Sequence, residues 1–141
     1  MDVIDTFRGE YSFLSNFYIE RNGKSLEHLY QASKATNMED YLRIINADTP
    51  AYAKKLGKSI KIREDWYTYK FTIMEYLLIQ KFSDKTLARK LLDTGNSVLV
   101  ENNTWGDRIW GVCDGIGQNH LGKMLMKIRD EFLTSKSLIE Y

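Results

Sequence analysis

The chain has 141 residues, 43% of them hydrophobic and 28% charged, with a formal net charge of +1 at pH 7. That length suits one domain with its own core. The near-neutral balance excludes the broad basic footprint of a dedicated duplex-DNA binder, though not a nucleotide, whose few phosphates need only a local positive site.

One cysteine cannot form an internal disulfide, and one proline cannot make a Pro-rich linker. Both fit a globular protein of a reducing compartment. The opening "MDVIDTFRGEYSFLS" lacks a basic start followed by an apolar run, so no signal peptide is expected. The greasiest stretch, "FTIMEYLLIQKF", carries charge and is too short to span a bilayer. The expected setting is cytoplasmic, away from membranes.

Residues 3–20 read as short extended pieces broken by turns. Asn22-Gly23 tolerates positive φ and signals a hairpin. Ser25 is then placed to cap a helix through "LEHLYQASKATN". "MEDYLRIINA" is a second helix, and Thr49-Pro50 starts a third that Gly57 is expected to end as a left-handed cap. In "EDWYTYKFTIMEYLLIQKF", Phe71, Met74, Leu78 and Phe82 recur at helical spacing and predict one buried stripe. Another helix starts at Ser83 and ends at Gly95. "SVLVEN" and "RIWGVC" read as strands. "NHLGKMLMKIRDEFL" closes the chain as a helix with Leu121, Leu125, Ile128 and Phe132 on one side. The sum is an α+β, predominantly helical single domain, residues 1–141, with a few short strands and no regular βαβ alternation.

Glu27, Gln31 and Lys34 are spaced i, i+4, i+7 and share a helical face. The plain reading is a solvated polar face; the sharper one is an acid and an amine lining a cleft, where burial tunes their pKa values. Trp66 sits near a helix start, where a tryptophan is more often a core anchor than a ligand platform. The segment from Trp105 to Gly122 holds two of three tryptophans and five of nine glycines. If "RIWGV" is extended, Asp107 and Trp110 fall on different faces unless a glycine bends the chain. "GIGQNHLG" is not a dinucleotide fingerprint, but it sets a flexible turn before a helix N-terminus, where free amides favour an anion. Asn119 is there either a cap or a ligand residue. Cys113 with two distant histidines matches neither a thiol protease nor a zinc site.

The ordered set "FRGEYSFLSNFY", "LEHLYQASKA", "AKKLGKSIKIREDW", "LLDTG", "LVENNTWGDRIWGV" and "GIGQNHLGKMLMKIR" resembles the NADAR (YbiA-like) family from about Phe7 to Arg129. The resemblance implies an N-glycosidase acting on N-ribosides. Two substrate classes come with it: phosphoribosylamino-pyrimidine intermediates of riboflavin synthesis, and ADP-ribose on guanine bases in nucleic acid. It places the catalytic groups on Glu27, Lys34 and Asp107, with Gly9, Ser15, Asn16, Trp66, Trp110 and Asn119 binding substrate. It implies no metal and no organic cofactor. Lys58 departs from an arginine common in the family, and "CDGIGQ" varies, which bears on substrate preference. Glu27 is expected to serve as acid/base or oxocarbenium stabiliser, and Asp107 to position water or a ribose hydroxyl. Lys34 is expected either to donate a proton to the leaving base or to attack the opened sugar. The rival from another class is a non-catalytic reader of ADP-ribose or a modified nucleotide.

Overall fold

A computed structural model describes the fold over residues 2–139, and side chains over residues 2–135. Six α-helices, a short 3₁₀ segment and four two-residue strands are present among the described residues, the α+β, mainly helical class expected. Residue contacts divide the chain into two compact units. One comprises residues 16–81; the other joins residues 1–15 to residues 82–141.

The unit of residues 16–81 is built from four helices: α1 (Leu26–Ala32), α2 (Met38–Ile45), α3 (Pro50–Gly57) and α4 (Trp66–Lys81). It opens with the expected turn. Glu20 N–H donates to the Lys24 carbonyl at 2.8 Å, Ile19 and Ser25 form an antiparallel bridge, and Gly23 adopts φ +81°. Helix α1 starts in a capping box. Ser25 Oγ accepts the His28 N–H at 3.2 Å, and His28 Nδ1 accepts the Ser25 N–H at 3.2 Å. Histidine thus takes the place usually held by glutamate or glutamine. Its Nε2 lies 2.9 Å from the Ala47 carbonyl, which can only accept, so the buried ring carries its proton there.

α1 ends earlier than its sequence suggests. Ser33 Oγ donates back to the Leu29 carbonyl at 2.7 Å, and Ala35 leaves the helix to bridge Ile62. Lys34 therefore sits just past the helix, its carbonyl accepting the Arg63 N–H at 2.9 Å. Thr49 and Pro50 start α3 as expected: the threonine hydroxyl accepts the Tyr52 N–H at 3.0 Å. Gly57, however, is not a left-handed cap. It lies in the last helical turn, where a Cβ would overlap the Gln31 side chain. The glycine is there for close approach. Ala32, Ile44, Ala47 and Ala53, with Tyr41 and Leu56 against them, make the core among α1, α2 and α3.

The second unit pairs β1 (Val3–Ile4) with β2 (Val98–Leu99), and β3 (Asn102–Asn103) with β4 (Val112–Cys113), both in parallel. The 3₁₀ segment Gly9–Leu14 brings Phe13 edge-on to Phe82 at 6.5 Å. α5 (Lys85–Leu92) is capped by Asp84 rather than Ser83, through bonds from the Thr86 and Leu87 amides. α6 (His120–Ile139) packs against α5 and β2, with Leu121, Leu125 and Ile128 buried. The expected strand across "RIWGVC" is reduced to its last two residues. Asp107 Oδ1 accepts the N–H groups of both Ile109 and Trp110, at 3.1 and 2.9 Å, and folds the preceding residues into a turn.

Lys81, in the last turn of α4, is 3% exposed, with its ammonium 5.5 Å from the Tyr18 ring centre. Burial pushes its pKa down to about 7, against an opposing pull from Glu20. The neutral amine is thus favoured in the fold. Its stabilising contribution is complete above the unfolded value near 10.5 and is lost as pH falls towards 7. Lys81→Met is expected to be more stable than the parent near pH 7. That gap should close by up to about 1.4 kcal/mol per pH unit as pH rises, as read by denaturant titration; a gap independent of pH would contradict the burial argument.

Candidate active site

The plain expectation for α1, a solvated polar face, does not hold. Glu27 is 7% and Gln31 4% exposed, because α2, α3 and α4 all pack on this one short helix. Gln31 Nε2 donates to Glu27 Oε1 at 2.7 Å. The Glu27 N–H donates in turn to the Asn16 carbonyl at 3.0 Å. A carboxylate is rarely buried unless hydrogen-bonded or paired, and here a helix turn and its neighbours supply those contacts.

Lys34 stands beside this carboxylate. Its Nζ lies 5.8 Å from the ring centres of both Tyr30 and Trp66, over their faces. Burial lowers its pKa most; Glu27 acts in the opposite sense, while Lys58, Lys54 and Lys70 lower it further. The amine is held in a partly desolvated, cation-rich corner with one acid nearby, the conditions that favour its neutral form. Lys54 and Lys58 are spaced i, i+4, a pairing legible in the sequence but overlooked there.

Trp66 is 3% exposed. Its ring meets Tyr30 at 5.1 Å and Tyr69 edge-on at 6.3 Å, and the Arg63 guanidinium lies 4.0 Å over Tyr69. This is the core-anchor arrangement. The indole forms the floor beneath Lys34 and exposes almost no face for a base. Asn16 lies at the entry to the same helix. It is 9% exposed, with Nδ2 3.6 Å from the Met74 sulfur and Oδ1 buried without a hydrogen-bond donor among the described residues. A buried acceptor left without a donor marks a position where a ligand hydroxyl would be welcome.

The other expected site residues belong to the second unit. Gly9 opens the 3₁₀ segment with φ +58°, and Ser15 follows its end. The Asp107 N–H donates to Asn103 Oδ1 at 3.1 Å, and Asn103 Nδ2 donates to the Asp107 carbonyl at 2.8 Å. With Oδ1 spent on the turn, Oδ2 is the oxygen of Asp107 left for other work. Trp110 is half-buried, with His120 edge-on at 6.2 Å, whereas Trp105 is 54% exposed.

Asn119 bridges the backbone of the β2 region. Its Oδ1 accepts the Glu101 N–H at 3.0 Å and its Nδ2 donates to the Leu99 carbonyl at 2.9 Å. Both ends of the amide are engaged, and neither caps α6. Four amides at the end of the glycine turn are likewise engaged. The N–H groups of Gln118, Asn119, His120 and Leu121 donate to the carbonyls of Arg108, Gly111, Ile109 and Trp110. Gly111 is required because a Cβ there would overlap Glu101. These contacts serve close backbone packing in place of the expected phosphate approach.

An acid–amine pair thus stands on and just after α1, and comparison with known proteins gives the chain its class. A family model described as the NADAR domain matches residues 6–133; the chain belongs to the NADAR family. It is 38% identical to an N-glycosidase of Nostoc punctiforme over 121 residues, covering 81% of this chain and 77% of that one. It is 36% identical to a riboflavin biosynthesis protein of Vibrio vulnificus, covering 86% of this chain but only 35% of that longer one. The NMR structure of the E. coli protein YbiA superposes with a TM-score of 0.82 at 30% identity, over 96% of this chain and 87% of that one. No helix among the described residues is long and apolar enough to cross a membrane.

Trp66→Ala is expected to cost about 3–5 kcal/mol of stability, the range for deleting a large buried ring, as read by denaturant unfolding. A variant of parental stability with weakened ligand binding would instead make the indole a binding platform.

Proposed function

We propose that the protein hydrolyses the bond between ribose C1 and the amino nitrogen of a flat base, with Lys34 as nucleophile and Glu27 as acid/base. One observation carries this reading: a desolvated amine just past the end of a short helix that carries a buried, hydrogen-bonded carboxylate. The names borne by the Nostoc punctiforme and Vibrio vulnificus relatives support an N-riboside substrate. Among the two substrate classes, those names favour a phosphoribosylamino-pyrimidine of riboflavin synthesis over ADP-ribose on guanine. Lys54, Lys58 and Lys70, close enough to act on Lys34, suit a substrate that carries phosphate. The reaction is expected in the cytoplasm.

In the ring-opened form of such a riboside, C1 is doubly bonded to the amino nitrogen of the base. The neutral Lys34 amine adds to C1, and the electron pair of the C=N bond moves to the base nitrogen. Glu27 carries a proton from the lysine nitrogen to the base nitrogen. As the bond from C1 to the base breaks, its electron pair stays on the base nitrogen, and the second proton of the lysine nitrogen passes through Glu27 to it. This releases the base as a primary amine and leaves an imine between C1 and Lys34. Water adds to that imine, freeing the sugar as its aldehyde and restoring the amine. Asn16 Oδ1 is available to a sugar hydroxyl. A lowered amine pKa raises the neutral fraction that the first step requires.

The test is release of free base, measured in parallel on a phosphoribosylamino-pyrimidine and an ADP-ribosylated guanine oligonucleotide. Turnover of the first, with Glu27→Gln and Lys34→Ala each lowering kcat at least about a hundredfold, is the expected outcome. Folded variants at near-parental rates would overturn the assignment, and binding without base release would favour a non-catalytic reader.

A further inference from the structure

Gln31 is more deeply enclosed than any neutral polar side chain on a solvated helix face would be. It lies one turn after Glu27 on α1, and its amide is gripped at both ends. Nε2 donates to Glu27 Oε1 at 2.7 Å. Oε1 is buried without a hydrogen-bond donor among the described residues, pressed against α3 where Gly57 leaves room for it and any Cβ would not. Burying an amide oxygen unpaired costs about 1–3 kcal/mol. Core stability alone would place an apolar side chain of similar size here. The arrangement is understandable if the N–H donated to Glu27 is what the position is kept for.

We infer that Gln31 is a positioning residue for Glu27. Wedged between the backbone at Gly57 and the carboxylate, its amide holds Glu27 in one rotamer and in the ionised, accepting state. The inference rests on Glu27 being the acid/base of the proposed reaction. A donated N–H favours a carboxylate over the protonated acid, whereas a carbonyl oxygen turned towards it would do the reverse. An ionised carboxylate can only accept, so the N–H end of the amide faces Glu27 and Oε1 lies against Gly57. Other charged groups nearby are Lys34 at the end of the same helix, Lys54 and Lys58 in and just after α3, and Lys70 on α4. His28 on α1 is tied to Ser25 and to the Ala47 carbonyl after α2. The lysines favour an ionised Glu27 as well. The effect of Gln31 is therefore a measurable increment on theirs.

Two readouts separate this role from simple packing. The first is the titration midpoint of the Glu27 side-chain carboxyl, followed by carbon NMR with labelled glutamate and assigned by its loss in Glu27→Gln. The second is the pH profile of kcat. In Gln31→Leu the midpoint is expected to rise by about one pH unit, and the acidic limb of the profile should move with it. kcat should fall at least about tenfold, as misplacement of a reacting group does, with KM changed less than about threefold. Gly57→Ala, which touches Glu27 only through Gln31, should move the same two quantities in the same direction. Gln31→Met is the alternative should the leucine variant not fold. A folded Gln31 variant with the parental midpoint and acidic limb would overturn the inference. If the parent releases no base from any N-riboside, the proposed reaction fails, while the NMR midpoint still decides whether Gln31 governs Glu27.

Discussion

Ionisable groups do not enter a protein interior unless something there replaces water. In this molecule the demand falls on seven residues, α1, which buries a carboxylate and an amide on what would otherwise be its wet side. Three further helices pack on it, and they leave Glu27 only 7% exposed. The carboxylate must then be met by donors, and Gln31 is one of them. Lys34 is drawn into the same corner by a different route. The helix stops before it, the chain bridges to residues 62–63, and the amine comes to rest over two aromatic faces. Burial weakens the charge on the lysine, and the acid partly restores it.

The features around this pair follow from it. Trp66, buried between Tyr30 and Tyr69, is a floor that keeps water from the underside of the amine. Gly57 gives up a side chain so that α3 can come close enough to hold Gln31. The histidine that completes the capping box is buried and neutral, and it fixes the start of α1 to the chain after α2. A helix this short has little intrinsic stability. It is held by its neighbours, and Glu27 and Gln31 inherit their rigidity.

Much of this was readable beforehand, and the reasons differ by element. Caps and turn residues act locally, so Ser25, Thr49-Pro50 and Asn22-Gly23 announced their elements correctly. The stripe through Met74 and Leu78 did the same for α4, because a periodic apolar face has one economical use. What could not be read were the consequences of long-range contact. Ser33 and the bridge to Ile62 cut α1 short, a pairing 27 residues distant. Gly57 looked like a cap because glycine after a helical run usually is one; only Gln31 shows its purpose. In the late segment, Asp107 bonded two following amides and replaced an expected strand with a turn. Gly111, Gly117 and Gly122 admit backbone against backbone, and Asn119 spends its amide on the β2 region. Spacing alone favoured leaving Glu27 and Gln31 in solvent, because the helices that bury them are distant in sequence.

The central claim is that the Lys34 amine becomes bonded to sugar carbon during turnover. Borohydride added during steady-state cleavage of a phosphoribosylamino-pyrimidine, followed by peptide mass spectrometry, tests it directly. The account predicts a reduced sugar-phosphate adduct on the peptide carrying Lys34, absent in Lys34→Ala and without substrate. Undiminished turnover under borohydride, with Lys34 unmodified, would contradict it.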